Sequence, residues 1–154
     1  MDPRPSWDEY FMTITREVAE RSTCTRAKVG AVIVRDRSIL ATGYNGAPAG
    51  MPHCFDVGCL VYQSTNPDGE TVENCFRTIH AEINAIAQAA RNGTRIDGAD
   101  VYVTHTPCIH CLKTLVNTGV RRVFYDRPYK LDTIAELIER SGVELVHVEI
   151  APAA

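Results

Sequence analysis

The chain has 154 residues, 45% of them hydrophobic and 23% charged, with 16 basic against 19 acidic side chains for a net charge of −3. A chain of this length builds one domain with an ordinary apolar core, and its average composition excludes disordered, collagen-like and coiled-coil classes. The acidic balance argues against a nucleic-acid or anionic-membrane binder, no apolar run is long enough to span a bilayer, and residues 1–6 lack the apolar stretch of a signal peptide. The expected setting is the cytoplasm, where thiols stay reduced, so the six cysteines are metal or catalytic candidates before they are disulfides.

Ser6-Trp7-Asp8-Glu9 has the capping-box pattern, and Trp7, Tyr10, Phe11, Ile14 and Val18 follow as one apolar stripe, which predicts a helix ending near Arg21. Residues 29–34 are an apolar run rich in β-branched side chains, residues 35–38 a polar turn, and residues 39–42 a second run. This reads as a β-hairpin with both strands close to a buried sheet. Residues 43–78 carry Gly43, Gly46, Gly50, Gly58 and Gly69 with Pro48, Pro52 and Pro67, which prevent long regular elements. A loop of that length in a compact domain is functional or tied down, and four cysteines lie in or beside it.

Ile83, Ile86, Ala87 and Ala90 make a helical face stopped by Gly93, and residues 100–104 form a strand. Thr106 is the expected N-cap and Pro107 the first helical residue of a helix carrying Ile109, Leu112 and Val116 and ending at Gly119. Residues 122–125 are a strand, Leu131, Ile134, Ala135 and Ile138 a helix closed by Gly142, and residues 143–150 the last strand. The order α-β-β-α-β-α-β-α-β predicts an α/β fold in which helices sandwich a five-stranded mixed sheet, three α-β-α layers in a single domain over 1–154.

Two short motifs carry chemistry. Cys108-Ile109-His110-Cys111 places two sulfurs at the opening turn of a helix, near unpaired N–H groups and the positive end of the dipole, an environment that favours thiolates and hence metal. His80 opens another helix and supplies an imidazole. One imidazole and two thiolates leave a tetrahedral zinc one position short, which is the difference between a catalytic and a closed structural site. Glu82 supplies a carboxylate to move protons between water and a substrate. Residues i and i+2 of a regular helix point to nearly opposite sides, so His80 and Glu82 meet at one metal only if the helix begins at or just before His80. Taken singly, a Cys-x-x-Cys is a redox pair or half a zinc ribbon, a histidine is a satisfied core residue and a glutamate a solvated one. Together the residues match the H-x-E…P-C-x-x-C signature of zinc deaminases.

The chain resembles the cytidine/deoxycytidylate deaminase family, closest to its deoxycytidylate (dCMP) branch. The resemblance rests on Cys24-Thr25-Arg26-Ala27-Lys28-Val29-Gly30-Ala31-Val32-Ile33, Gly43-Tyr44-Asn45-Gly46-Ala47-Pro48, His80-Ala81-Glu82-Ile83-Asn84-Ala85-Ile86 and Tyr102-Val103-Thr104-His105-Thr106-Pro107-Cys108, and it covers nearly the whole chain. It implies a cytidine deaminase-like fold and the zinc-dependent hydrolysis of dCMP to dUMP and ammonia, supplying dUMP for thymidylate synthesis. Glu82 then takes a proton from water as its oxygen attacks C4 of cytosine, and passes protons to N3 and to departing ammonia. The resemblance also implies that the Ala81 N–H anchors the base carbonyl and that Asn45 contacts the sugar 3′-hydroxyl. Arg26 and Lys28 are the candidate phosphate ligands.

Some members of the family carry a second, structural zinc, and Cys24, Cys54, Cys59 and Cys75 would close such a site and pin the 43–78 segment. His53 is the substitute donor should one cysteine fail, and small buried apolar side chains are the alternative reading of all four. Homo-oligomers, commonly hexamers, and control by dCTP and dTTP near residues 43–48 are further implications of the resemblance, with Arg91 on a candidate contact face. Two other functions stay open on the residues alone. One is a deaminase of another base, nucleoside or nucleotide, such as cytidine, guanine or a riboflavin precursor. The other is a zinc-stabilised binding module, which would have no use for Glu82.

Overall fold

A computed structural model describes residues 1–152. Helix α1 (Trp7–Ala19) opens on the expected capping box: Ser6 Oγ accepts the Glu9 N–H at 3.2 Å, and the Glu9 carboxylate accepts the Ser6 N–H at 2.8 Å. Strands β1 (Gly30–Arg35) and β2 (Ser38–Tyr44) form the hairpin. After it come α2 (Cys54–Val57), β3 (Val61–Thr65), β4 (Thr71–Cys75), α3 (Ala81–Asn92), β5 (Asp100–His105), α4 (Ile109–Thr118), β6 (Arg122–Arg127), α5 (Leu131–Ser141) and β7 (Glu144–His147). Gly93, Gly119 and Gly142 end α3, α4 and α5 as the sequence predicts.

The main sheet has five strands in the order β2-β1-β5-β6-β7. β1 runs antiparallel to β2 and β5, whereas β5, β6 and β7 are parallel, so the sheet is mixed as expected. Side chains alternate across it. Ala31, Ile33, Val101, Val103 and Val123 pack with Ala85, Leu112, Leu115 and Ile134 of α3, α4 and α5 on one face. Val32, Val34, Tyr102 and Phe124 pack with Phe11 and Met12 of α1 on the other. Full burial of a side chain such as Leu112, Leu115 or Ile134 contributes about 1.5–3 kcal/mol. β1, covered on both faces, reads as a continuous apolar run for that reason. β2 is an edge strand whose first residues are exposed, so the expectation of two buried strands holds for β1 alone.

Two further departures concern local structure. Residues 43–78 are not irregular throughout: β3 and β4 form a separate two-stranded sheet, joined by a turn in which Asn66 Oδ1 accepts the N–H groups of Asp68 and Glu70. Helix α4 is capped by Cys108 and not by Thr106. The Thr106 hydroxyl is engaged elsewhere, donating to Arg127 O at 3.3 Å and accepting the Tyr129 N–H at 3.2 Å. The first helical hydrogen bond runs instead from Leu112 N–H to Cys108 O at 2.9 Å. Among the described residues no helix is long and apolar enough to cross a membrane.

This topology gathers one pole of the sheet. β5 ends at His105 and leads into the start of α4, while α3 delivers the chain back to the start of β5, so the N-termini of α3 and α4 meet beyond the end of β5. The start of β1 and the end of β2 lie at the same pole, because Ala31 pairs with Val103 and Gly30 with Tyr44. α3 sits almost on the backbone of β2 there. A Cβ on Gly43 would lie 2.2 Å from Ala81 O and 2.4 Å from Ala85 N, so no larger residue fits without moving the helix.

Candidate metal centre and active site

His80 and Cys108 are both N-cap residues with extended backbones, at φ −65°, ψ 151° and φ −67°, ψ 166°. The extended N-cap resolves the spacing problem of His80 and Glu82, since only Glu82 lies inside the helix, in its first turn. His80 Nδ1 lies 3.6 Å from Cys108 Sγ and 3.3 Å from Cys111 Sγ, and the three donor atoms all fall within 4.8 Å of one another. Tetrahedral zinc bonded to nitrogen and sulfur at its usual lengths sets those atoms about 3.6 Å apart, so the donor set fits the ion.

The electrostatics point the same way. Cys108 is held at about 3 by hydrogen bonding from Cys111 and, against the cost of burial, by His80 and the Cys111 N–H. Cys111 is pushed far up by its neighbour Cys108, by burial and by the charge of Glu82. Taking the proton from Cys111 would set two thiolates beside a carboxylate, and a divalent cation removes that penalty. Glu82 is 4% exposed, and burial raises its proton affinity above that of an ordinary carboxylate. A buried carboxyl that readily accepts a proton is suited to proton transfer near neutral pH.

The remaining expected residues divide. Asn45 is buried, and its Oδ1 accepts the Ala81 N–H at 2.9 Å. The two expected substrate contacts therefore engage each other, and Ala81 does not present a free donor for a base carbonyl in this arrangement. Arg26 and Lys28 lie just before β1, at the correct pole and exposed, but Lys28 Nζ pairs with Glu20 at 3.0 Å. Residues not singled out from the sequence brace the site. Asn84 Nδ2 donates to Tyr44 O at 2.8 Å and to Ile79 O at 3.3 Å, tying α3 to the end of β2. Thr104 Oγ1 accepts the Gly30 N–H at 3.2 Å. Their only sequence signal is a polar side chain placed inside an apolar pattern.

The sulfurs of Cys54, Cys59 and Cys75 form a second group within 4.8 Å. Burial raises the Cys75 thiol, but the N–H groups of Arg77, Thr78 and Leu60 outweigh it and bring Cys75 down to about 6. Cys54 is pushed up, chiefly by burial. Cys24 does not join this group; its sulfur accepts the Arg26 N–H at 3.4 Å. His53 Nδ1, next in the chain to Cys54, is buried with no hydrogen-bond partner among the described residues. None of the six cysteines is paired in a disulfide.

The cytidine and deoxycytidylate deaminase zinc-binding region matches residues 5–127. ComE operon protein 2 of Bacillus subtilis (strain 168) is 47% identical over 148 residues, covering 96% of this chain and 74% of that protein. The deoxycytidylate deaminase of Schizosaccharomyces pombe is 37% identical over 143 residues, covering 92% of this chain; the chain spans only 44% of that relative's length. The crystal structure of the dCMP deaminase from cyanophage S-TIM5, in complex with dCMP and dUMP, superposes with a TM-score of 0.76 at 32% identity, covering 96% of this chain and 100% of the other. With its sheet order, its two converging helix N-termini and its His-x-Glu and Pro-Cys-x-x-Cys residues in place, the chain belongs to the cytidine and deoxycytidylate deaminase family.

Proposed function

We propose that the chain is a zinc-dependent hydrolase that converts dCMP to dUMP and ammonia, supplying dUMP for thymidylate synthesis, through one deaminase domain. The carrying observation is the convergence of His80, Cys108 and Cys111 with a buried Glu82 beside them. The choice of dCMP is supported by the relatives named as dCMP deaminases, one of them solved with dCMP and dUMP. His80, Cys108 and Cys111 would hold the ion, and when bound it supplies the Lewis acidity that makes water nucleophilic near neutral pH. Glu82 takes one proton from the attacking water and gives it to cytosine N3. It then carries the second to the amino group on C4, so that oxygen stays on the ring and ammonia leaves.

Asn45 Nδ2 makes only a 3.5 Å contact with Ala27 O and is the donor assigned to the sugar hydroxyl. Turning Asn45 toward the sugar would free the Ala81 N–H for the base carbonyl. Arg26, without a carboxylate partner among the described residues, is the better phosphate candidate; Lys28 would first have to leave Glu20. An ammonia-release assay across dCMP, CMP, cytidine and dCTP tests the substrate. The highest kcat/KM is expected with dCMP, and equal or better turnover of cytidine would overturn it.

Cys54, Cys59 and Cys75 would hold a second, structural zinc that fixes α2 against β4. His53, whose buried Nδ1 is unpartnered but lies outside their group, would have to turn toward them to serve as fourth donor in place of Cys24. Metal analysis is expected to give two zincs per chain; one zinc in a fully active preparation would remove the second site. A homo-oligomer, hexameric by family resemblance, dCTP and dTTP as effectors near residues 43–48, and the cytoplasm as compartment complete the proposal.

A further inference from the structure

The pole of the sheet opposite the metal centre carries a cleft of about 450 Å³, between the start of α1, the β1–β2 turn and the starts of β5 and β6. Its charged lining is Arg35, Arg37, Arg121 and Arg122 against Asp8, Asp36 and Asp100. Much of that charge is already committed. Arg122 grips Asp100 through two hydrogen bonds of 3.0 and 2.7 Å. Arg35 donates to the carbonyls of Arg95 and Asp97, both at 3.1 Å, and Asp8 accepts the Tyr102 hydroxyl at 2.6 Å. Asp36 faces solvent in the turn.

Arg37 and Arg121 are left as exposed guanidiniums with no hydrogen-bonded or ion-pair partner among the described residues. Arg37 is held in place at a cost. Asp36 and Arg37 adopt φ 51° and 61°, a left-handed pair that a two-residue hairpin turn ordinarily fills with Asn-Gly or Asp-Gly. That backbone sets the guanidinium 4.8 Å from the centre of the Trp7 ring, and Trp7 is itself 47% exposed. A guanidinium lying on an aromatic ring offers a flat outer surface for stacking as well as a fork of donors for a phosphate. The volume is that of a small-molecule site and well beyond a lone phosphate.

We propose that this cleft binds a nucleoside monophosphate, its phosphate taken by Arg37 and Arg121 and its base lying against the Arg37–Trp7 surface. The site lies away from His80, Cys108 and Cys111 and does not depend on the deaminase reading. Trp7 is the only tryptophan of the chain, so its fluorescence reports the cleft directly. The full chain is titrated with adenosine 5′-monophosphate, with adenosine and with inorganic phosphate. Saturable change with the monophosphate is expected, with each fragment at least about tenfold weaker. R37A and R121A should each weaken the monophosphate by about tenfold, the loss of one charge-assisted contact, while R37K and R121K recover part of it. E82Q should bind it as the unmodified chain does, because Glu82 lies at the other pole of the sheet. The proposal is overturned by the absence of a saturable response, by equal affinity for inorganic phosphate, or by undiminished binding in both alanine variants. Circular dichroism of the exposed-site variants confirms that they are folded, and a binding loss that the lysine variants share in full with an unfolding signal also counts against it.

Discussion

Gly43→Ala adds a single methyl group far in sequence from His80, Cys108 and Cys111, yet it should disable the site. The new Cβ would sit 2.2 Å from Ala81 O and 2.4 Å from Ala85 N, both backbone atoms of α3. Ordinary contact requires the helix to withdraw by about 1 Å, because no flexible side chain is available to yield. Overpacking of this kind costs about 1–3 kcal/mol of stability. The helix end that must move carries His80, Ala81 and Glu82, and a misplacement of about 1 Å in a reacting constellation costs about 100-fold in rate. Ammonia release from dCMP, zinc content and thermal unfolding of the variant should therefore show a lower midpoint and a kcat reduced by about two orders of magnitude. A variant with unaltered kcat and unaltered midpoint would refute the claim that β2 positions the catalytic helix by direct backbone contact.

Asn45→Ala leaves the buried Ala81 N–H without its 2.9 Å acceptor, and a buried unpaired donor costs about 1–3 kcal/mol. Chemical denaturation should show that loss, with a raised KM for dCMP; a stability within error of the parent chain would contradict the pinning role. His105 titrates below the ordinary histidine range, chiefly through burial and then through the positive charge of Arg127. The unfolded chain then binds the proton more readily than the folded one, so this stability is present above about pH 6.5 and is lost as the pH falls through the folded value. His105→Gln should flatten the decline in thermal midpoint as the pH falls below about 6.5, and an unchanged slope would exclude His105 as its source.

The parts legible in the sequence are those set by local chemistry. The Ser6–Glu9 capping box, the apolar run of β1 and the glycine stops after α3, α4 and α5 act over a few residues and were readable as such. The requirement that the helix begin at or just before His80 followed from helical geometry alone; the structure makes His80 the N-cap, with the helix proper starting one residue later at Ala81. Residues whose roles depend on distant partners were not readable. Thr106 has the composition of an N-cap, but Arg127 and Tyr129 claim its hydroxyl. The β3–β4 hairpin is exposed on most of its residues, so it lacks the strict apolar alternation that marks a half-buried strand. The pairing of Asn45 with Ala81 joins residues 36 positions apart, and Cys24 resembles its fellow cysteines in sequence while lying outside their cluster.

The most direct test of the catalytic assignment is Glu82→Gln in the zinc-loaded chain, with metal content and ammonia release from dCMP measured on the same preparation. Retained zinc with turnover lowered by about 10²–10⁴-fold is the expected result, because the amide preserves shape and loses the proton carrier. Undiminished turnover with zinc in place would contradict the role given to Glu82 and with it the reading of the site.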